Sequence, residues 1–430
     1  MSLLVGLGHH QVAAAAQPSS SSNNKKPKPS NDSSSSPSAA IVVCNAGTGA
    51  VSHVYRTDGS GGGATRGVTV LGSGSDTTVV ASRQGRATLL AFAWGREEPV
   101  GRFAMAEEMG PLVSSTDGTW LVAGGASGSI YAWEASTGCL LGVCKAHYRA
   151  VSCLAFALDD SVIVSGSDDA MVHVWDLASL VSVGGENPRP LRTLSVCRMT
   201  ISGLSCGISQ AAFSSLDHSV RVFDIAAGVE SLHVSLTCAQ QCVLLDVVEN
   251  VVISGGADGN VYVNSLSSQS SPDSATRILG GHTGPITCLC AVDSQKNVSL
   301  ASGSEDYSIR LWNIHFSQAV LIIRMEGPVL FATFCTRVFN PEHSQTNRKL
   351  VPVILRKFKD DEETMSKRRI AIPRTRAKFD DAELDITSTL TFAPSTAPTP
   401  LAIGRSGNKD WEAVASRLYE LAAEQIEGLL

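Results

Sequence analysis

Residues 203–207 read Gly203-Leu204-Ser205-Cys206-Gly207, a G-x-S-x-G match to the turn that presents a nucleophilic serine in hydrolases. That chemistry requires the serine on a strand-turn-helix elbow at the top of a parallel sheet. Here the pentapeptide falls between two strands of an antiparallel repeat, so no nucleophilic role is expected for Ser205. His147 and His282 are of a type that carries protons or binds metals, but both recur at one position of the same repeat and read as structural. The eleven cysteines are scattered, with no CxxC pair and no Cys/His zinc spacing, as suits small buried hydrophobes in a reducing compartment. No paired carboxylates, phosphate loop or dinucleotide fingerprint appears. The reading is therefore non-enzymatic, with no cofactor and no metal.

The elements that carry these residues repeat. Residues 165–176 (SGSDDAMVHVWD) and 302–313 (SGSEDYSIRLWN) are the clearest copies. Weaker ones are 124–134 (GGASGSIYAWE), 214–224 (SSLDHSVRVFD) and 254–265 (SGGADGNVYVNS), and two degenerate copies end near Tyr55 and Trp94. Each reads as strand, tight turn, strand. Val172 and Val174, or Ile309 and Leu311, alternate with the period of two that a strand requires. The closing positions Tyr55, Trp94, Trp133, Trp175, Phe223, Asn264 and Trp312 are 39 to 48 residues apart. A period of 40–45 residues with four short strands per unit is the signature of a β-propeller, whose ring protects the strand edges. The sequence thus predicts an all-β fold, a seven-bladed propeller over 41–358. Ring closure is expected from pairing of the downstream runs 328–335 and 350–358 with 41–44 and 51–55.

Ala146-His147 lies 28 residues before Trp175, and Gly281-His282 lies 30 before Trp312. With these spacings the chain resembles the WD-repeat family over roughly 41–358. The resemblance implies a buried hydrogen-bonded network within a blade, formed by His147, Ser165, Asp169 and Trp175, and again by His282, Ser302, Asp306 and Trp312. The other copies depart from the pattern: Ser127 replaces the turn Asp in one, and Asn264 the Trp in another.

The ends are different in kind. Residues 1–40 form a Ser-rich tail expected to be disordered, since they cannot bury enough apolar surface. The opening MSLLVGLGHHQVAAAA lacks the charged start of a signal peptide, and without Arg it is a poor transit peptide. No apolar run is long enough to span a bilayer. Residues 359–408 read as a charged, then Pro/Ser/Thr-rich linker, and 409–430 as an amphipathic helix with Trp411, Val414, Leu418, Leu421 and Ile426 on one stripe. Such a stripe calls for a partner, either a second copy or another protein, in a short coiled coil.

Charge is uneven along the chain. Residues 41–347 hold 17 basic and 26 acidic residues, whereas 348–378 hold 11 basic and 4 acidic. The body is thus unsuited to a general grip on nucleic acid. The cluster Lys367, Arg368, Arg369, Arg374, Arg376 and Lys378 is the candidate nuclear import signal or rRNA-phosphate contact, weighed against a solvated linker.

Taken in order, weak first blades, two strong GH…W(D/N) blades, a basic linker and a terminal helix resemble the WD-repeat subunit of the Rix-type complex of large-ribosomal-subunit assembly, of the plant root initiation defective type. Residues 123–154 and 286–313 carry the resemblance best. It implies a nuclear, nucleolar or nucleoplasmic scaffold in pre-rRNA processing that joins ribosome-assembly factors, among them a helical-repeat subunit, and that makes no membrane contact. The alternative is a cytoplasmic or nuclear substrate receptor of a cullin ubiquitin ligase. Such receptors carry W-D-x-R, which neither Trp175-Asp176-Leu177-Ala178 nor Trp312-Asn313-Ile314-His315 matches.

Overall fold

Short alternating apolar runs interrupted by Gly, Asp and Asn turns fold into short strands paired by tight hairpins. The computed structural model describes residues 2–7, 40–56, 65–71, 77–181, 188–195, 197–246, 250–266, 276–291, 300–335 and 355. The first strands are β1 (Ser2–Leu7), β2 (Ala40–Asn45) and β3 (Val51–Arg56). Six blades follow, each a four-stranded antiparallel sheet drawn from one continuous stretch. The first contains β4 (Thr65–Leu71), β5 (Thr78–Arg83), β6 (Thr88–Ala93) and β7 (Gly101–Ala104). Next are β8 (Met109–Ser114), β9 (Trp120–Gly125), β10 (Ser129–Glu134) and β11 (Cys139–Lys145). The third holds β12 (Val151–Phe156), β13 (Val162–Ser167), β14 (Val172–Asp176), the one-turn helix α1 (Leu177–Val181) and β15 (Arg192–Leu194). The fourth holds β16 (Ile201–Cys206), β17 (Gln210–Ser215), β18 (Ser219–Asp224) and β19 (Glu230–Ser235). The fifth is made of β20 (Gln240–Asp246), β21 (Val251–Gly256), β22 (Val261–Ser265) and β23 (Arg277–Leu279). The sixth is made of β24 (Ile286–Ala291), β25 (Leu300–Ser304), β26 (Ser308–Asn313) and β27 (Gln318–Arg324), and β28 (Val329–Cys335) ends the series.

The first strand of each blade packs against the first strand of the next, and β28 packs against both β24 and β4. This is the inner wall of an all-β propeller. Hydroxyls stitch it together. Ser152, Ser202 and Thr287 are second residues of β12, β16 and β24. Each donates across to the carbonyl that opens the next inner strand, Ile201, Gln240 and Val329, at 2.6 Å in every case. The second strands of the blades come equally close. A Cβ on Gly166 would sit 2.6 Å from Cys153 Sγ, and one on Gly303 2.5 Å from a Val329 methyl. This is why Ser-Gly-Ser recurs on β13 and β25, and why small Cys side chains lie opposite.

The remaining sheet is a composite of both ends, in the order β28-β1-β2-β3. Here the structure corrects three readings. The run 350–358 lies outside the described residues apart from Leu355, and the expected pairing of 328–335 with 41–44 does not occur. Instead β1 lies between β28 and β2, with Leu4 opposite Val43 on one side and Thr333 on the other. One C-terminal strand lines the inner wall, so the other three places are filled from the N-terminal end. Second, the 1–40 tail is not wholly unstructured, because Ser2–Leu7 is that middle strand, its backbone paired on both edges. Third, Tyr55 lies on the outer strand β3 rather than at the closing position of a third strand. Trp94 falls one residue beyond β6, where Phe92 holds that register opposite Val79.

Of the run 350–358 only Leu355 is described. It is buried in the apolar cluster with Leu71, Val80, Leu112 and Trp133, between the β4–β7 and β8–β11 blades. The basic cluster 367–378, the linker and the 409–430 helix with Trp411, Val414, Leu418, Leu421 and Ile426 lie outside the described residues.

Candidate functional site

His147 and His282 sit in the loops that enter β12 and β24, at the edge of the inner wall. Asp169 and Asp306 sit on the turns after the second strands. Ser165 is mid-strand in β13 and Ser302 in β25, while Trp175 and Trp312 are on the third strands β14 and β26. Strand pairing lines these positions up across the blade, which gives two four-residue relays. In the first, Trp175 Nε1 donates to Ser165 Oγ at 3.0 Å, Ser165 Oγ is 2.8 Å from His147 Nε2, and His147 Nδ1 is 3.1 Å from Asp169 Oδ2. In the second the corresponding distances are 2.7, 2.7 and 2.9 Å.

Each relay also fixes a loop. Asp169 accepts from the Tyr148 amide and Asp306 from the Thr283 amide, both at 3.1 Å, so the turn carboxylates hold the chain entering the inner strand. Asn and Asp turns with such anchors are strongly local structures. The same bond recurs between Asp217 and the Arg198 amide at 3.2 Å in the β16–β19 blade, which has no His in its relay.

The family described as WD domain, G-beta repeat matches residues 138–176 and 273–313, the stretches that contain the two relays. The chain carries WD repeats. Its similarity extends to WD repeat-containing protein 18 of Danio rerio, 34% identical over 231 residues, which are 51% of this chain and 53% of the relative. Protein ROOT INITIATION DEFECTIVE 3 of Arabidopsis thaliana is 30% identical over 245 residues, 54% of this chain and 55% of that one. Pre-rRNA-processing protein IPI3 of Yarrowia lipolytica is 30% identical over 207 residues, 46% and 48% of the two chains. The matched region spans about half the length of these curated relatives. Among solved structures, the computationally designed Ika8 protein superposes with a TM-score of 0.52 at 22% identity, covering 67% of this chain and 82% of that one. That likeness concerns the fold.

The degenerate WD repeats solve the same turn problem with other groups. In the β8–β11 blade, Ser127 stands where a turn Asp would be, and the carboxylate comes instead from Glu107, just before β8. Its oxygens accept from the Ser127 amide at 2.7 Å, the Ser127 hydroxyl at 2.8 Å and the Tyr131 hydroxyl at 2.8 Å. Tyr131 in turn stacks on Trp133 with ring centroids 5.8 Å apart. In the β20–β23 blade, Tyr262 donates to Asp258 at 2.6 Å. Tyr131 and Tyr262 share one register, two residues before the closing positions Trp133 and Asn264. The matching Tyr in YAW and YVN was the signal available in the sequence. Replacing Glu107 with Ala should cost about 1–3 kcal/mol, because it strands a tyrosine hydroxyl and a turn amide. Chemical denaturation checks this; an unchanged midpoint would show the contact to be idle.

Ser205 lies on β16, an antiparallel strand, where its Oγ accepts from the Leu245 amide of the next blade at 3.0 Å. It is not on an elbow. Seven of the ten described thiols are buried, and burial pushes Cys153 and Cys288 up to about 12 and Cys44 to about 11. Among the described residues no group of three His, Cys, Asp or Glu is placed to hold a metal, and no helix is long and apolar enough to cross a membrane.

Burial also holds the imidazoles neutral. It lowers His147 and His282 against the opposing pull of Asp169 and Asp306, and it lowers His173, beside His147, to about 4. Burial of Asp306 works the other way, but hydrogen bonds from Ser308, the Thr283 amide and His282 outweigh it and bring the carboxyl down to about 2. For all these groups the folded value lies below the unfolded one. Their stabilisation is complete above the unfolded value and drains as pH falls. The His173 part should go between about pH 6.5 and 4, and the Asp306 part between about 4 and 2. Tm should therefore fall steadily from pH 7 to 4.5. His173→Gln should flatten part of that slope, whereas an unchanged slope in this variant would contradict the assignment.

Proposed function

We propose that the chain is a non-enzymatic WD-repeat scaffold of a nuclear complex for pre-rRNA processing and large-ribosomal-subunit maturation. The observation that carries this reading is the similarity to a relative named for pre-rRNA processing, in a chain whose two complete relays lie in WD repeats. It is supported by the way the blades use their His, Ser and Asp side chains. These bond to one another and to the turns, as they would in a rigid frame whose work is done by its loops. The composite sheet acts as the seventh blade and locks the frame.

In this reading the ring joins ribosome-assembly factors, including a helical-repeat subunit. The cluster Lys367, Arg368, Arg369, Arg374, Arg376 and Lys378 serves nuclear import or touches rRNA. The stripe Trp411, Val414, Leu418, Leu421 and Ile426 supports self-association or docking. Purification of the tagged chain with and without ribonuclease tests the reading. Recovery of large-subunit precursors with a set of assembly factors that survives ribonuclease is expected. Cullin components without ribosomal proteins would replace it with the ubiquitin-ligase reading. Deleting residues 410–430 should move Tm by less than about 2 °C, since the ring closes without them, yet lose a partner from the purified complex.

A further inference from the structure

We propose that the face of the ring formed by the loops entering β12 and β16 docks a short acidic protein segment with an apolar residue between its carboxylates, held by Tyr148, Arg149, Arg198 and Met199. The inference deepens the scaffold reading only in taking the ring to bind protein; it does not depend on ribosome assembly.

The two loops occupy equivalent positions in adjacent blades. Val151 and Ile201 open their inner strands, and Ser152 Oγ bonds to the Ile201 carbonyl at 2.6 Å. Tyr148 and Arg198 each lie three residues before those openings, and both amides are tied to a turn carboxylate. The backbone is thus fixed while the side chains project. Tyr148 is 94% exposed and Met199 51%, although both are large enough to be costly in water. Arg149, Arg198 and His218 are exposed as well. No hydrogen bond or ion pair engages the side chains of Tyr148, Arg149, Arg198 or Met199 among the described residues. Of the nearby carboxylates, Asp169 and Asp217 are occupied by His147, Ser219 and the turn amides, which leaves Asp168, bonded through its amide to Ala150, as the acidic neighbour of Arg149.

An aromatic ring, a thioether and two unpaired guanidiniums on a fixed backbone have the composition of an interface hot spot. The guanidiniums call for carboxylates, which they bind in bidentate fashion. The charge of the surroundings selects a short segment over a polyanion. At the same two loop positions other blades carry Glu107 and Glu326, Glu108 adjoins the first, the Glu305 amide bonds to Pro285 in the loop entering β24, and residues 41–347 are acidic overall. A long nucleic acid laid on this face would meet those carboxylates, whereas a few residues would touch only the cationic sector.

The test uses the full chain in its own cells with the photo-crosslinker p-benzoylphenylalanine at Tyr148, or at Phe316, an exposed control on the turn between β26 and β27. Crosslinked peptides are then sequenced. The expected products from position 148 carry at least two Asp or Glu residues around an apolar one. Their yield should drop about tenfold or more in Arg149→Glu/Arg198→Glu, a pair of exposed positions whose Tm should not move, and position 316 should not give them. Crosslinks to RNA or to neutral or basic peptides, equal yield in the charge-reversed chain, or no crosslink at all would overturn the proposal. Acidic segments from proteins outside ribosome precursors would uphold it and remove the ribosome reading. Precursors that co-purify while position 148 captures nothing would do the reverse.

Discussion

Replacing Asp306 with Ala is expected to lower the unfolding free energy by about 3–5 kcal/mol. The carboxylate accepts four donors: His282 Nδ1 at 2.9 Å, the Thr283 amide at 3.1 Å, the Ser308 amide at 2.9 Å and the Ser308 hydroxyl at 2.6 Å. Its side chain is only 9% exposed, so water cannot replace all of them. Each buried donor left alone costs roughly 1–3 kcal/mol, and water reaching the outer ones brings the total into the stated range. Asn at the same position keeps part of the acceptor set and should lose clearly less. Urea denaturation at neutral pH distinguishes the cases. A loss below about 1 kcal/mol in the Ala variant would mean that the relay is decorative.

Deleting residues 1–8 should be more damaging than any point substitution. β1 is paired on both edges, so its loss exposes the facing backbone of β28 and β2 together. At about 0.5–1.5 kcal/mol net per hydrogen bond, plus the opened packing, on the order of 5 kcal/mol or more should be lost. The expected result is a chain that aggregates or melts over a broad, low range. A synthetic peptide of the first eight residues, added in excess, should restore a single sharp transition. A deleted chain that melts like the full one would show that the composite sheet does not close the ring.

The parts legible in the sequence were those where chemistry and period coincide. The His, Ser, Asp and Trp of two repeats stand out because a buried polar relay tolerates few substitutes, and the structure joins those eight residues by hydrogen bonds. The other blades were harder to read because the physical task, satisfying a turn next to an aromatic, has several solutions. Glu107 reaches Ser127 from a different loop, and no fixed spacing announces it. Tyr55 and Trp94 misled for a simpler reason. A pleated strand places an aromatic on the same side at every second residue, so an aromatic can be read one pleat too far, as with Trp94 and Phe92, or one strand too far, as with Tyr55. The strand at Ser2–Leu7 was hidden by its Ser-rich neighbourhood, because composition averages over the few residues that a single strand needs.

The composite sheet also sets an order in time. Among the described strands β1 is the first to leave the ribosome and β28 the last, so the ring has no inner seam until β28 emerges. At about 5–20 residues per second, roughly 15–60 s separate the emergence of β1 from that of β28, and the blades accumulate meanwhile as an open arc with the β1 edge exposed. During that interval the newborn chain is a protein with two adhesive ends, and chains made side by side on one messenger could exchange them. A factor that occupies the β1 edge until synthesis is complete would protect this chain more than one that covers its finished surface.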